Sequence, residues 1–314
     1  MLLIDSADLT DLAENVKLLE QFNNGASVLT FEYSADRGGR FANGSTVVFT
    51  YGGANLFYGF LFKTKQDAKR FQCTAYDQLR YLKAKNSLMR QVQTLDSFVN
   101  DVCAQIGDRI RLGTLDRTEV KLGKYLFDNK THLDMIYQSI QDNLLLNGYY
   151  YCLRDNFGAL ELRDLYDLRL PIVIGDGSLA TGFDYERSID DDTYNYIRVA
   201  KDDKGRGVRN TYDARDSVNI AKWGKLMLYD KVSAELNDAQ LKARANRLLA
   251  LKNQETETLS VECMGDVRIH AGNGVKVELG QAGVNLWAVV ESVSHSFGSS
   301  EHTMKLELTF GRYF

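Results

Sequence analysis

The side chains best suited to catalysis or metal binding in this chain are its four histidines, His132, His270, His295 and His302. They lack the HExxH and HxxxH spacings that place two histidines on one face of a helix for a zinc ion. His295 and His302 flank one predicted hairpin, so we expect them to be neighbours. Two histidines alone do not form a metal site. We therefore predict structural roles for all four and no bound metal.

Other patterns that accompany catalysis or cofactor binding are also missing from the sequence. The acidic run Asp190, Asp191 and Asp192 lacks the spaced ligands and the glycine of a calcium-binding loop, which favours a solvated turn. No GxSxG nucleophile motif occurs, and the 42 acidic residues offer no carboxylate pair that spacing singles out. The sequence therefore predicts no catalytic or cofactor-binding residues, no cofactor and no enzymatic activity.

The composition is that of an ordinary globular protein. Of its 314 residues, 44% are hydrophobic and 25% charged, and a net charge of -4 gives no sign of specific nucleic-acid binding, which usually needs a basic face. The apolar stretch 56–62 is too short to span a bilayer, so no membrane partner is expected. Asp5 and Asp8 stand where a signal peptide would need apolar residues, which predicts synthesis in the cytoplasm.

The four cysteines are predicted to be buried free thiols. Cys73, Cys103, Cys152 and Cys263 are widely separated, form no CxxC pair and each sit in an apolar pattern. A disulfide framework is not expected in a chain of this length made in the cytoplasm.

The periodicity of apolar residues predicts a mainly β chain with helical insertions. Alternating residues over 27–77 predict successive strands joined by glycine-rich turns. Three helices are predicted, over 95–106 before Gly107, from Thr131 with a capping box at Asp134, and over 237–251 with Asn237 as N-cap. The charged segment Lys201–Asn210 is predicted to be a loop and the best candidate for a mobile segment.

Two segments of the chain echo each other at a spacing of 230 residues. The residues Asn43, Gly44, Val47, Gly53, Asn55 and Leu56 recur as Asn273, Gly274, Val277, Gly283, Asn285 and Leu286. Phe49 is aligned with Leu279 and Phe57 with Trp287. Any two hairpins can share Asn-Gly turns and alternating apolar residues, so duplication remains one of two interpretations of this pattern. A duplicated small barrel would indicate a building block rather than a catalyst.

Segments along nearly the whole chain resemble one protein family, through their order and spacing rather than any single motif. The segments that carry the resemblance are Leu56–Gly59, Ala75–Leu82, Thr94–Gly107, Asp155–Leu160, Tyr185–Ile189, Asp192–Val199, Asp216–Leu226, the helix at 237–251, Trp287–His295 and His302–Met304. They are similar to those of the baseplate hub proteins of contractile phage tails and phage-like particles. These are the XkdQ/YqbQ-like proteins, akin to phage late control protein D.

The resemblance implies a mainly β fold with α+β insertions and two tail-tube-like β-barrel domains per chain. Three chains would form a pseudo-sixfold ring that joins a sixfold tail tube to a threefold spike, with His295 as a structural residue at a strand end. The implied partners are a second and third copy of the chain, the tail tube protein and the spike protein. A tape-measure protein and a LysM-like baseplate adaptor protein are further candidates. The implied destination is the tail of a virion or phage-like particle.

The corresponding domain division has four parts. Residues 1–85 form the N-terminal part of the first barrel, and 86–170 an α+β insert. Residues 171–230 complete the barrels and include the charged loop, and 231–314 form a helix and the second barrel. Two other functions stay open from the sequence: a tail-tip cell-wall hydrolase, and a carbohydrate-binding β-protein for host attachment, which would need exposed aromatic platforms.

Overall fold

The computed structural model describes residues 1–175, 180–203, 207–232, 236–280, 282–298 and 301–311. Within these ranges the chain is mainly β, and the helices fall in two insertions between strands. No helix in the described ranges has both the length and the apolar character needed to cross a membrane. The fold class predicted from periodicity, a mainly β chain with helical insertions, is therefore confirmed.

The first 76 residues form one antiparallel sheet unit. Its strands are β1 (Leu2–Ile4), β2 (Ala7–Asp8), β3 (Ala13–Gln21), β4 (Val28–Ser34), β5 (Thr46–Tyr51), β6 (Ala54–Gln66) and β7 (Arg70–Tyr76). Side chains alternate between fully buried and partly buried along β4, as the period of two in a strand requires. Gly52 and Gly53 have positive φ angles and make the tight turn between β5 and β6. The strands predicted over 27–77 are confirmed.

An α+β insert follows, beginning with a 3₁₀ helix, Gln78–Lys83. Its other elements are β8 (Lys85–Arg90), β9 (Gln93–Thr94), α1 (Leu95–Ala104), β10 (Leu112–Leu115), β11 (Lys121–Leu122), β12 (Tyr125–Thr131), α2 (His132–Asn147), β13 (Tyr151–Asp155) and β14 (Leu160–Asp164). The predicted capping box of α2 is confirmed, since the Thr131 hydroxyl accepts from the Asp134 amide and the Asp134 carboxylate accepts from the Thr131 amide. Gly148 ends α2 in the left-handed region at φ 88°.

The rest of the chain forms a second sheet unit with its own insertion. The strands of this unit are β15 (Arg169–Gly175) and β16 (Ala180–Ser188), followed after the insertion by β20 (Thr256–Met264), β21 (Gly274–Leu279), β22 (Val284–Phe297) and β23 (His302–Phe310). The insertion contains β17 (Tyr196–Asp203), β18 (Val208–Arg215), α3 (Ser217–Trp223), β19 (Met227–Val232) and α4 (Asp238–Lys252). Asn237 caps α4 as predicted, and Leu241, Ala245 and Leu248 bury its inner face.

The insertion differs from the sequence prediction in its charged segment. Residues at both ends of the predicted loop Lys201–Asn210 continue β17 and β18, while 204–206 lie outside the described residues. The charges there are cross-strand partners, because Asp202 pairs with Arg209 in register and binds its guanidinium at 2.7 Å. The helix α4 shares a hydrophobic cluster with β17 and β18.

The two sheet units have the same strand order. The first unit runs β3-β4-β7-β6-β5-β1, and the second runs β16-β20-β23-β22-β21-β15. The short strand β2 pairs only with β1 and has no counterpart in the second unit. With β2 left out and the other strands numbered by their order within each unit, both units read 2-3-6-5-4-1. The two units differ in the direction of their first strand. In the first unit β1 pairs antiparallel with β5, whereas in the second unit β15 pairs parallel with β21. The sequence echo therefore falls on topologically equivalent hairpins, β5–β6 and β21–β22.

The register of these hairpins corrects the alignment read from the sequence. The Leu61 amide donates to the Ser45 carbonyl, and the Val290 amide donates to the Asn273 carbonyl in the same way. A bulge follows each of these residues, so Leu61 is equivalent to Val290. Phe49 is then equivalent to Val277 rather than to Leu279. The structural equivalences differ from the sequence alignment for two reasons. The β21–β22 connection is longer than the β5–β6 turn, and the pairing of β5 with β6 contains a bulge of its own.

Each sheet unit wraps around its own hydrophobic cluster. The first cluster is rich in aromatic rings, including Phe31, Tyr33 and Phe71, whereas the second is mostly aliphatic. Among the described residues, the two end strands of each unit do not pair with each other, so hydrogen bonds do not close either sheet into a barrel.

Candidate functional site

The two sheet units are joined edge to edge at a place that we call the central junction, the pairing of Val16–Gln21 in β3 with Ser292–Phe297 in β22. The first half of β22 pairs with β21, and beyond its bulge the same edge pairs with β3. Leu18 faces His295 in this register, and both side chains are almost fully buried. The chain thereby forms one continuous sheet across two repeats.

An ion pair between Glu20 and His270 lies at this junction. The His270 Nδ1 atom is 3.0 and 3.1 Å from the two carboxylate oxygens of Glu20, and the Ala271 amide donates to the same carboxylate at 3.1 Å. The Asn273 side chain holds the His270 amide at 2.7 Å, which fixes the turn before β21. The two ionic partners are 250 residues apart in sequence, and no local pattern in the sequence indicates this contact.

The environment shifts the pKa values of this pair in opposite directions. Burial by itself raises the pKa of Glu20, but the charge of His270 and its hydrogen bond outweigh burial and hold that pKa below its usual value. Burial by itself lowers the pKa of His270, but the charge of Glu20 outweighs burial and raises that pKa above its usual value. Both charges are therefore favoured at mildly acidic pH.

His295 and His302 are neighbours, as predicted. The His295 Nε2 atom is 2.9 Å from the Ile269 carbonyl, so it is the donor, and its Nδ1 atom accepts from His302 Nε2 at 3.0 Å. Burial, with the adjacent His295 as a second cause, lowers the pKa of His302 to about 4. In the described part of the chain, no three histidine, cysteine or acidic side chains are grouped so that they could hold a metal ion.

A second buried polar cluster docks the α+β insert onto the first sheet unit. Asp77 accepts from the Ser27 amide at 2.8 Å and the Leu79 amide at 2.9 Å. Gln78 donates to Asp155, which also accepts from the Gly158 amide at 2.8 Å. The hairpin turn that carries Asp155 and Gly158 is therefore hydrogen-bonded to the segment that follows β7.

The Asp77 and Asp155 carboxyls titrate at unusually high pH. Burial and the neighbouring Asp155 charge raise the pKa of Asp77, and burial raises the pKa of Asp155 to about 6. A cavity of about 70 Å³ adjoins Asp155 and the Glu20–His270 pair. Such a space accommodates a few water molecules and is far too small for a sugar ring. The cluster is suited to holding the insert in place rather than to binding a substrate.

The other candidates from the sequence lie apart from these clusters. Asp190, Asp191 and Asp192 form an exposed turn between β16 and β17, and the Asp192 carboxylate pairs with Lys252. The four cysteines are all free and buried, as predicted, and burial raises the pKa of each thiol.

The chain is similar to proteins of phage and prophage tails. A family model described as YQBQ-like matches residues 16–309. The phage-like element PBSX protein XkdQ of Bacillus subtilis is 28% identical over 273 residues, which covers 85% of this chain and 82% of that protein.

Two solved structures show the same fold. The 43 kDa tail protein of prophage MuSo2 from Shewanella oneidensis superposes with a TM-score of 0.71 at 13% identity, covering 98% of this chain and 97% of that one. The tail protein from Neisseria meningitidis MC58 superposes with a TM-score of 0.72 at 16% identity, covering 96% and 93%. The family model spans nearly all of the sequence, and the chain accordingly belongs to the YQBQ-like family.

Proposed function

We propose that this protein is the structural hub of a contractile tail baseplate, in a phage or phage-like particle. Three copies form a pseudo-sixfold ring, which binds the sixfold tail tube on one side and the threefold spike on the other. A tape-measure protein and a LysM-like adaptor protein are further partners in the baseplate. The protein assembles in the bacterial cytoplasm and acts in the finished tail.

One observation carries this proposal: the chain contains two sheet units of identical strand order, joined by strand pairing. Three chains of this kind supply six similar units, which can match a sixfold tube on one face. The differences between the two repeats and their insertions leave only threefold symmetry for the spike. The relatives named after a phage-like element and prophage tails support a tail role.

We further propose that each sheet unit serves as a tail-tube-like barrel, completed by neighbouring segments in the assembly. The four-part domain division is kept with one change. The α+β insert has its own hydrophobic cluster, which supports a unit close to 86–170. The packing of α4 on β17 and β18 supports grouping this helix with the preceding insertion rather than with the second barrel.

The protein is proposed to have no turnover. Of the carboxyls with raised pKa values, Asp77 and Asp155 are shifted furthest, and both accept hydrogen bonds from backbone amides. The cavity that Asp155 lines is too small for a glycan. A cell-wall hydrolase needs an acidic residue in an open cleft with room for the substrate. Incubation of the purified protein with peptidoglycan should release no soluble fragments, and release that disappears in an Asp155→Asn variant would favour the hydrolase instead.

The trimer is tested by multi-angle light scattering of the purified full chain. The expected mass is close to three times 35.5 kDa. A mass of one chain at every concentration, up to the solubility limit, contradicts the proposed ring.

A further inference from the structure

The central junction supplies a template for contacts between copies of the chain. It joins the second strand of the first unit, β3, to the fifth strand of the second unit, β22. Because both units have the same strand order, the first unit also has a fifth strand and the second unit also has a second strand, and neither of these takes part in the central junction. The fifth strand of the first unit is β6, and the second strand of the second unit is β16.

The residues equivalent to the central junction follow from strand pairing. Leu61 corresponds to Val290, and the bulge after each makes Lys63 correspond to Ser292 and Lys65 to Ser294. On the other strand, Leu18 pairs with Leu29 of β4, and Tyr185 pairs with Leu259 of β20 in the same way. The residues equivalent to Leu18 and Leu19 of β3 are therefore Tyr185 and Glu186 of β16.

Both of these edges are open in the described structure. In β6, residues 63–66 pair with β7 on one side, and no strand among the described residues lies on the other side, because β5 pairs only as far as Phe60. In β16, the pairing found in the described ranges is with β20 alone, so its second edge is also free. Such edges carry backbone N–H and C=O groups ready to pair with another chain.

We propose that the free edge of β16 in one copy pairs antiparallel with residues 63–66 of β6 in the next copy. The register repeats that of the central junction, with Lys65 opposite Glu186 and Lys63 opposite Ser188. Each copy then offers one edge and receives one, which is a head-to-tail contact of the kind that closes into rings. This inference rests on the proposed trimer and adds to it the strands, residues and register of the contact.

The charges in the proposed register are complementary. Lys65 and Glu186 are both exposed in the isolated chain and would lie directly opposite each other on the solvent-facing side of the new pair. The equivalent positions in the central junction are Ser294 and Leu19, which are register partners on the less buried face of that pairing. On the opposite face, Thr64 would lie opposite Arg187, and Gln66 would lie opposite the half-buried Tyr185.

Cysteine crosslinking tests the proposed register. The double variant Lys65→Cys, Glu186→Cys, oxidised after light scattering has established its mass, should give covalent dimers and trimers on a non-reducing gel. The matched positive control is Leu19→Cys, Ser294→Cys, the equivalent pair inside one chain, which should crosslink without changing the mass. The negative control is Lys65→Cys, Gly182→Cys, displaced by four residues, or roughly 13 Å along β16. The native cysteines are buried and should not contribute.

The outcomes separate the interface from the trimer on which it rests. Crosslinking of the in-register pair alone, at least tenfold above the displaced pair, supports the interface. A trimeric mass without crosslinking, while the intrachain control crosslinks, overturns the interface and leaves the trimer standing. A monomeric mass overturns both.

Charge reversal provides an independent readout that needs no oxidation. Lys65→Glu places two negative charges opposite each other and should weaken trimer formation at least tenfold at low salt, while leaving the melting temperature of the monomer unchanged. Adding Glu186→Lys should restore the trimer. Failure of the second change to rescue the first contradicts the pairing of these two residues.

Discussion

The first and second sheet units share a strand order but differ in how they are filled and how they end. The first unit is continuous in sequence and packs around aromatic rings such as Phe31 and Tyr33. The second is interrupted between β16 and β20 and packs around aliphatic residues such as Val261 and Leu308. Within one chain, the same topology is therefore compatible with two different core compositions, provided that the buried face of each strand is kept.

The units differ again at the edge of the fifth strand. In β22 this edge is covered by β3, whereas the equivalent edge of β6 has no described partner strand. The fifth-strand edge is therefore paired in the second sheet unit and open in the first. An open edge of this kind allows a chain to pair with another copy of itself. In the proposed trimer, the open edge of β6 is where the next copy of the chain pairs.

The largest expected effect is a difference in unfolding free energy between alanine variants at equivalent core positions of the two units. Phe31 and Val261 are both 1% exposed and stand two residues beyond the equivalent Leu29 and Leu259. Phe31→Ala should lower the free energy of unfolding by about 3–5 kcal/mol, because it removes a whole buried ring. Val261→Ala should cost about 2 kcal/mol for two buried carbon groups and the space they leave. Urea denaturation followed by circular dichroism measures both, and a larger loss for Val261→Ala would contradict the packing difference.

The next effect concerns the ion pair that links the units. Glu20→Ala removes the carboxylate that accepts from His270 and from the Ala271 amide, and it should lower the free energy of unfolding by about 1.5–3 kcal/mol near pH 6. Glu14→Ala is the matched control on the same strand, because its salt bridge with Arg70 is exposed and should contribute less than about 1 kcal/mol. Equal losses in the two variants would show that the junction does not depend on Glu20.

The pH dependence of this ion pair has a defined sign. The lowered pKa of Glu20 gives stability that is present above pH 4.5 and lost as pH falls through the folded pKa. The raised pKa of His270 gives stability that is full below pH 6.5 and lost as pH rises through the folded pKa. His270→Asn should therefore cost more at pH 5.5 than at pH 8.5, as measured by urea denaturation. In a Glu20→Ala background this pH dependence should reverse, because burial without the Glu20 charge lowers the pKa of His270. A dependence that keeps its sign in that background would assign it to another group.

The smallest effect compares the helices of the two insertions. Both α2 and α4 begin with a reciprocal capping box, at Thr131 and Asn237. Thr131→Ala and Asn237→Ala should each lower stability by about 1 kcal/mol, since each leaves helix amides without an acceptor. Thermal unfolding measures both losses. A loss near zero for either would mean that solvent replaces the cap at that helix.

The sequence predicts those parts of the fold that depend on local pattern. The alternation in 27–77, the caps at Thr131 and Asn237 and the buried cysteines all follow from residues close together in the chain. Residues 201–203 and 208–210 were wrongly predicted as parts of a loop, because cross-strand charge pairs look in sequence like a solvated run. Residues 204–206 of the same predicted loop lie outside the described residues. Pairing between strands is decided by partners that the local pattern does not contain.

The contacts at the central junction could not be predicted from the sequence for the same reason. Glu20 and His270 are separated by 250 residues, and each alone is indistinguishable from a surface charge. The neighbouring His295 and His302 were predictable because one hairpin brings them together. The echo in sequence located the right pair of hairpins, but a bulge and a longer connection displaced its alignment.

The most direct test of the account is the symmetry of the assembled protein, seen in class averages of electron micrographs. Three chains with two equivalent sheet units each should give a ring with six similar lobes, alternating slightly because the repeats differ in core and insertions. A ring with only three lobes, or particles without a ring, would contradict the claim that both repeats serve as equivalent building blocks.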